Sequence, residues 1–334
     1  MFAHKTRMMK SQINDIDQET ENHDTFLNDV INGLTQSEKT LPSKYFYNAV
    51  GDVLFQKIMH CDDYYLTRSE MDIFKNKTEQ LAEPFLQNSE PFELIELGAG
   101  DGSKTKHLLQ YLTDKNAPFT YSPIDISEHI LSVLEDRLSQ DIPELKIKPE
   151  NGDYFDALKR ICDRSNQRKV VLFLGSNIGN MVYEDAIAFC SKLSSMLSPK
   201  DLVLIGFDLK KDPQTILQAY NDSTGYTAQF NLNLLQRMND ELHADFELNQ
   251  FVHYPTYNPQ TGACKSFLIS QQDQTVQLGD EEISFKKYEP IFMEVSRKFS
   301  LADIRNLAEK TGFEPISHNY DSKQWFTDVL WQVK

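Results

Sequence analysis

The chain has 334 residues, of which 40% are hydrophobic and 25% are charged, and its formal net charge is -16 at pH 7. This length suits one large domain or two connected ones. The excess of acids disfavours a nucleic acid or an anionic membrane as partner, because both bind basic surfaces. No apolar run approaches the roughly 18 residues of a membrane-spanning helix. We therefore expect a soluble protein that acts on a small molecule.

The N-terminal region and the cysteine and histidine spacings exclude further classes. Residues 1–20 are polar and poor in aromatic residues, which predicts disorder. They hold neither the apolar core of a secretory signal nor an Arg-rich transit pattern, so a cytoplasmic protein is expected. The four cysteines form no C-x-x-C pair, and the eight histidines form no H-E-x-x-H pattern. We predict reduced thiols and no metal site.

The first two-thirds of the chain change from helices to alternating strands and helices. Apolar spacing predicts helices over Asp24–Leu34 and Gly51–Met59, and a third helix near Thr67, where Thr67 and Glu70 match a capping box. From about 90 to 210, strands alternate with helices, which predicts a doubly wound parallel sheet. The predicted strands are Phe92–Glu96, Thr120–Ile126, Leu145–Lys148, Val170–Leu174 and Leu202–Phe207.

The pattern changes after Pro213. A helical region reaches about Leu242, and period-two stretches then predict an antiparallel insertion with turns at 258–262 and 278–280. Its strands are predicted over Phe246–Tyr257, Ser266–Gln271, Thr275–Leu278, Ile283–Lys287 and Ile291–Phe299. A helix over Ser300–Lys310 and two antiparallel strands, Glu314–Asn319 and Trp325–Val333, return the chain to the first sheet.

A glycine-rich turn follows the first predicted strand of the parallel sheet. Gly98, Gly100 and Gly102 stand at alternate positions, and Ser103 is predicted to open a helix. Such a turn lets the backbone approach a ligand at a helix N-terminus, although a purely structural turn is the alternative. The G-x-G-x-G spacing, with Glu96 two residues before it, resembles the first motif of S-adenosylmethionine-dependent methyltransferases.

Two acids stand near or just after the ends of the next predicted strands. Asp125 stands where this architecture places an acid that accepts hydrogen bonds from ribose hydroxyls. Asp153, beside Tyr154, suits an adenine amine; alone, it would be read as a solvated turn residue. Successive strand-end acids favour the ligand-binding interpretation.

Four further motifs resemble, in order, those of the histidine-specific methyltransferase family of ergothioneine biosynthesis, which trimethylates the α-amino group of L-histidine to hercynine. The likeness runs from about residue 25 to the C-terminus. The motifs are Leu41–Asn48, Tyr64–Glu70, Phe173–Asn180 and Met293–Phe299.

The resemblance implies roles for individual residues. It implies that S-adenosylmethionine contacts Gly98, Lys104, Asp125, Asp153 and Tyr154. It implies that the substrate carboxylate is held by Asn180 and Tyr220, that the amine faces Tyr47 and the Gly175 carbonyl, and that the imidazole is surrounded by Tyr64, Glu294 and Ser296, with Phe55 lining the pocket. One position departs from the family pattern. Mycobacterial members carry a methionine over the imidazole, and the alignment places Ser266 there. The selectivity for the side chain of the substrate therefore stays open.

These residue types suit the chemistry. Tyr47 and Tyr64 are the candidate catalytic residues, since a phenol both donates and accepts; Tyr47 is read as an orienting partner of the amine, not as a strong base. Glu294 and Ser296 stand at i and i+2 of a predicted strand and so face one side. Outside the motif context, these tyrosines would be read as aromatic core and Glu294 as a surface ion-pair partner.

The sequence therefore predicts a class I Rossmann-like α/β methyltransferase domain, 70–210 plus 298–334. A substrate-binding α+β domain containing an antiparallel sheet is predicted over 20–69 plus 211–297. We expect a monomer without a metal, nucleic-acid or membrane partner. Two alternatives stay open: a related N-methyltransferase acting on another amino acid such as a tryptophan derivative, and a non-catalytic binding module on the same fold.

Overall fold

A computed structural model describes residues 23–87 and 90–334, so the disorder predicted for residues 1–20 lies outside the described residues. The helices are α1 (residues 23–34), α2 (Ala49–His60), α3 (Leu66–Asn76), α4 (Thr78–Leu86), α5 (Thr105–Asp114), α6 (Glu128–Asp141), α7 (Tyr154–Arg164), α8 (Tyr183–Met196), α9 (Pro213–Ala219), α10 (Tyr226–Leu242) and α11 (Leu301–Lys310). Single turns of 3-10 helix cover Ser43–Phe46, Asn177–Asn180 and Leu248–Gln250.

The strands fall into three sheets. They are β1 (Lys39–Thr40), β2 (Phe92–Leu97), β3 (Phe119–Asp125), β4 (Glu150–Asn151), β5 (Arg168–Phe173), β6 (Leu202–Asp208), β7 (Phe251–Tyr257), β8 (Ala263–Ser270), β9 (Gln274–Leu278), β10 (Glu281–Phe285), β11 (Pro290–Arg297), β12 (Phe313–Tyr320) and β13 (Phe326–Val333).

The largest sheet has seven strands in the order β12-β13-β6-β5-β2-β3-β4. The pairs from β6 to β4 are parallel, whereas β13 is antiparallel to both of its neighbours. The chain runs outward from β2 to β4 and then restarts at β5 on the other side of β2, which creates a topological switch point where ligands bind in such sheets. The predicted class I Rossmann-like fold is confirmed.

Apolar side chains explain why these strands lie in the middle of the sheet. Every residue of β2 and β6 is buried, as expected of strands covered by helices on both faces. One core cluster includes Ile95, Phe207 and Trp331, and another on the opposite face includes Leu94, Leu172 and Leu204. This apolar packing holds β2 to β5 side by side, so that their carboxyl ends lie along one edge of the sheet.

The third predicted strand is wrong in extent. Instead of a strand over Leu145–Lys148, the structure has an isolated bridge between Ile147 and Tyr121, followed by the two-residue β4. Pro149 lies between them, and its lack of an N–H interrupts the ladder of hydrogen bonds. The predicted capping box of the third helix is also wrong, because α3 begins at Leu66, before Thr67.

The remaining sheets carry the predicted insertion. A four-stranded sheet has the order β1-β11-β8-β7, and β9 and β10 form a separate hairpin. The hairpin turns at 258–262 and 278–280 are confirmed by the antiparallel registers. β7 is shorter than predicted because 248–250 form a 3-10 turn. The parallel pairing of β1 with β11 was not predicted, since two residues show no periodicity.

By internal contacts the chain divides into two units. One unit holds the chain up to Tyr64, Gln214–Tyr257 and Cys264–Val295; the other holds Tyr65–Pro213, Asn258–Ala263 and Ser296–Lys334. Phe46, Phe230 and Met293 belong to the core of the first unit. The seven-stranded sheet belongs to the second.

Candidate active site

The glycine turn follows β2 directly and needs its glycines. Gly98, Gly100 and Gly102 have φ values of 72°, 53° and 61°, in the left-handed region. A Cβ on Gly98 would lie only 2.6 Å from Oη of Tyr154, so a side chain there would also collide. The Gly98 N–H donates to the Ile124 carbonyl at 2.9 Å, which ties the turn to the end of β3.

The predicted cofactor acids lie around Tyr154. Burial raises the pKa of Tyr154 to about 12, and the nearby carboxylates of Asp125 and Asp153 add to the rise. Asp125 Oδ1 accepts the Ser127 N–H at 3.0 Å, and Asp153 Oδ1 accepts the Phe155 N–H at 2.9 Å as the N-cap of α7. The structure thus groups Gly98, Asp125, Asp153 and Tyr154 at the carboxyl ends of β2 to β4.

Glu70 joins two other predicted site residues. Its Oε1 accepts the Gly175 N–H at 2.7 Å, and its Oε2 pairs with Nζ of Lys104. Burial opposes the charge of Lys104, but the attraction of Glu70 raises the Lys104 pKa above its ordinary value. The sequence analysis read Glu70 as a capping residue, whereas it connects the start of α5 to the loop after β5.

The loop after β5 places Asn177 beside both glycine turns. Gly175 has φ 75°, and a single 3-10 turn over Asn177–Asn180 follows. The Asn177 amide lies 3.8 Å from where a Cβ of Gly98 would stand and 3.6 Å from that of Gly175. Asn180 is exposed at the end of the loop. Asn177 was missed, although the motif Phe173–Asn180 contains it.

A buried charge network surrounds Asp208 at the end of β6. Its carboxylate pairs with Lys211 and with Lys298, whose Nζ lies 2.7 Å from Oδ2, and it accepts the Tyr65 hydroxyl at 2.8 Å. Burial opposes ionisation of Asp208, but the two lysines hold its pKa below the ordinary value. Burial lowers the pKa of Lys211 to about 8. Lys298 also donates to Ser296 Oγ at 2.9 Å. Ser296, which is predicted to contact the substrate imidazole, therefore belongs to this network.

The other unit holds the aromatic candidates. The ring of Tyr47, which is 48% exposed, meets Phe55 edge-on at 5.6 Å and Phe230 at 5.7 Å between centroids. Tyr64 and Tyr220 form a separate edge-on pair at 6.1 Å. The structure thus brings Tyr47 together with Phe55, and Tyr64 with Tyr220. Phe230 was missed as part of this cluster.

Glu294 and Ser266 lie on neighbouring strands of the four-stranded sheet. Glu294 is half-buried on β11. Ser266 is buried on β8, with its Oγ 3.4 Å from Nε2 of His253. Burial lowers the pKa of His253 to about 4, so the imidazole is neutral at pH 7. The Ser266 hydroxyl therefore meets a neutral imidazole ring within the protein, and this contact was not predicted from the sequence.

Glu96, in β2 just before the glycine turn, is another buried acid. It accepts the hydroxyls of Tyr121 at 2.6 Å and Thr105 at 2.7 Å. Burial raises the pKa of Glu96 to about 7, against these hydrogen bonds. The folded protein therefore binds a proton between about pH 4.5 and 7 that the unfolded chain has already released. Its stabilising contribution is complete below that range and is lost as the pH rises through it.

We expect Glu96→Gln to remove this pH dependence. An amide mimics the protonated acid. Between pH 5 and 8, the free energy of unfolding of the wild type should therefore decrease by on the order of 3 kcal/mol more than that of Glu96→Gln. Urea unfolding followed by tryptophan fluorescence at several pH values measures the difference. Parallel wild-type and mutant profiles would contradict the assignment.

Within residues 23–87 and 90–334, no group of three or more His, Cys, Asp or Glu side chains is arranged to hold a metal ion. In the same part of the chain, no helix is both long and apolar enough to span a membrane.

Comparison with known proteins gives the family. Residues 26–333 match the histidine-specific, S-adenosylmethionine-dependent methyltransferases. The chain is 32% identical over 302 residues to histidine N-alpha-methyltransferase of Mycobacterium tuberculosis, with 90% of each chain covered. It is 35% identical over 273 residues to the enzyme of that name in Mycolicibacterium smegmatis, covering 81% of this chain and 83% of the relative. It is also 26% identical over 300 residues to 4-dimethylallyltryptophan N-methyltransferase of Aspergillus fumigatus, covering 85% of this chain and 87% of the relative.

The match covers nearly the whole described chain, and both the glycine turn and the parallel sheet fall within it. The resemblance inferred from the motifs is therefore confirmed. The chain belongs to the histidine-specific, S-adenosylmethionine-dependent methyltransferase family.

Proposed function

We propose that this enzyme transfers three methyl groups from S-adenosylmethionine to the α-amino group of L-histidine, giving hercynine, the first step of ergothioneine biosynthesis. The observation that supports this best is the cluster of Gly98, Asp125, Asp153 and Tyr154 at the carboxyl ends of β2 to β4, in a member of a histidine-specific family. Mycobacterial relatives named histidine N-alpha-methyltransferases support the substrate.

The cofactor cluster fits an adenosyl group. A Cβ at Gly98 would fill the space beside Tyr154, so only glycine leaves room for a ligand against the backbone there. Asp125 is the proposed acceptor for the ribose hydroxyls, and Asp153 for the adenine amine. Lys104 is the remaining proposed contact, and Glu70 holds its ammonium group. When bound, S-adenosylmethionine supplies an electrophilic methyl group on a sulfonium.

The protein must position the amine and exclude water, because methyl transfer is an in-line displacement. In each round a N–C bond forms, a S–C bond breaks, and the amine loses one proton to solvent or a side chain. We assign Tyr47 and Tyr64 to orienting the amine through their hydroxyls, with the Gly175 carbonyl as a further acceptor. Asn180 and Tyr220 are the proposed carboxylate ligands, and Phe55 lines the pocket.

Imidazole recognition is assigned to Glu294 and Ser296. Alternation along β11 places both side chains on one face of the strand. A carboxylate accepts from a ring N–H and a hydroxyl donates to the other nitrogen, so together they match a neutral imidazole.

Mass spectrometry tests the proposal directly. After incubation of L-histidine with the purified protein and S-adenosylmethionine, the product should carry three additional methyl groups. Similarity to 4-dimethylallyltryptophan N-methyltransferase favours one rival, an indole amino acid as substrate. A competition assay with equal histidine and tryptophan decides between them, and cofactor binding without turnover of any amino acid would indicate a binding module.

The cofactor assignment makes its own prediction. Asp125→Ala should weaken S-adenosylmethionine binding by about 2 to 3 kcal/mol, as expected for loss of hydrogen bonds to a charged group. Isothermal titration calorimetry on the folded variant measures the change. Asp136→Ala, which removes an exposed acid from α6, is the matched control and should bind normally. An unchanged dissociation constant for Asp125→Ala would remove Asp125 from the site.

A further inference from the structure

Lys298 is a fully buried cation that contacts Ser296, a residue proposed to bind the substrate imidazole. Its side chain is 0% exposed, and Nζ lies 2.9 Å from Ser296 Oγ and 2.7 Å from Asp208 Oδ2. An ammonium group can only donate hydrogen bonds, so the Ser296 oxygen must accept this one.

The position of Lys298 is fixed by its backbone. Its own N–H donates to the Gly262 carbonyl at 2.7 Å, and the N–H of the next residue, Phe299, donates to the Asp208 carbonyl at 2.9 Å. A Cβ on Gly262 would lie 2.1 Å from the Lys298 carbonyl oxygen, so the two chain segments are in close contact. The backbone of Lys298 is therefore held in place, and its ammonium group is held by the hydrogen bonds to Ser296 and Asp208.

We propose that Lys298 is a specificity-determining positioning residue, which turns Ser296 into a hydrogen-bond donor and thereby selects the neutral imidazole of the substrate. The inference rests on the proposed function. Accepting from Lys298 occupies one lone pair of Ser296 Oγ and orients its hydrogen away from the ammonium. The charge of Lys298 polarises that O–H bond and repels an imidazolium ring. The nitrogen facing Ser296 must then be unprotonated.

The network also supplies a matched control. Lys211 pairs with the same carboxylate of Asp208 and is likewise buried, but its other hydrogen bond goes to Tyr65 and not to Ser296. A purely structural role for Lys298, as counter-ion of Asp208, would make the two lysines equivalent. If Lys298 acts through Ser296, the two lysines should differ in their effect on substrate selectivity.

The experiment compares Lys298→Met with Lys211→Met. Each variant is offered histidine and phenylalanine in competition, and the ratio of the kcat/KM values is measured. Lys298→Met should lower the preference for histidine about tenfold or more, whereas Lys211→Met should keep the wild-type ratio even if its Tm falls.

In a Ser296→Ala background, Lys298→Met should change the ratio no further, because the two side chains act as one unit. Equal ratios in Lys298→Met and the wild type, or an equal loss with and without Ser296, would overturn the proposal.

Nuclear magnetic resonance of the wild type provides a test that needs no variant. Ring-15N histidine bound in the presence of S-adenosylhomocysteine should show one protonated and one unprotonated nitrogen at pH 7. A bound imidazolium would overturn the proposal even if Lys298→Met does not fold. Wild-type turnover is measured first: absence of histidine methylation refutes the proposed function, and this inference with it, whereas methylation with unchanged selectivity in Lys298→Met refutes this inference alone.

Discussion

Replacing Glu294 with alanine should lower kcat/KM for histidine on the order of 100-fold, since loss of a charged hydrogen bond to the ring costs up to about 3 kcal/mol. The same change should improve the activity towards phenylalanine or tryptophan relative to histidine, because the half-buried carboxylate no longer rejects rings without an N–H partner. Competition assays with paired amino acids report this ratio directly. The affinity for S-adenosylmethionine should stay unchanged, since Glu294 is assigned to the substrate alone.

Glu282→Ala is the matched control for this prediction. It removes the same charge from an exposed position in the β9–β10 hairpin of the same unit, and it should leave both activity and selectivity unaltered. If Glu294→Ala kept the wild-type preference for histidine, Glu294 would be only a surface acid. Imidazole recognition would then have to be assigned to other residues.

The parallel sheet could be predicted because its signal is local. A strand buried on both faces needs a continuous apolar run, and 170–174 and 202–207 provide one within a few residues. The glycine turn is equally local, since positive φ values favour glycine at the positions concerned. Pro149 shows the limit of such reading, because one residue without an N–H shortened a strand whose apolar pattern was intact.

The charged contacts could not be predicted, because some partners are distant along the chain and because a sequence pattern does not show which side chains share a hydrogen bond. Glu70 and Gly175 are 105 positions apart, and the S/T-x-x-E pattern gave Glu70 a plausible local partner instead. The Ser296 motif was recognised, yet nothing in it indicated that Lys298 donates to the hydroxyl. Family motifs identify which residues matter, whereas the fold determines which of them share a hydrogen bond.

Removal of the Glu70 side chain should strongly destabilise the unit that holds the seven-stranded sheet. Its side chain is 1% exposed, and it satisfies both the Gly175 N–H and the ammonium of Lys104. Asp328 is also buried near Lys104, and burial together with the charge of Glu70 raises the pKa of Asp328 well above its ordinary value. Without Glu70, the largely buried ammonium group of Lys104 would lose its paired carboxylate.

We therefore expect Glu70→Ala to reduce the free energy of unfolding by about 3 to 5 kcal/mol, the cost of breaking a buried ion pair by removing one partner. Urea unfolding followed by tryptophan fluorescence reports the correct unit, because Trp325 and Trp331 both lie in it. The control Lys106→Ala breaks the exposed ion pair between Lys106 of α5 and Asp141 of α6 and should cost no more than about 1 kcal/mol. Glu70→Ala combined with Lys104→Met should recover part of the loss, because no unpaired charge remains. An unfolding midpoint of Glu70→Ala equal to that of the control would show that the carboxylate does not hold Lys104 and the Gly175 loop in place.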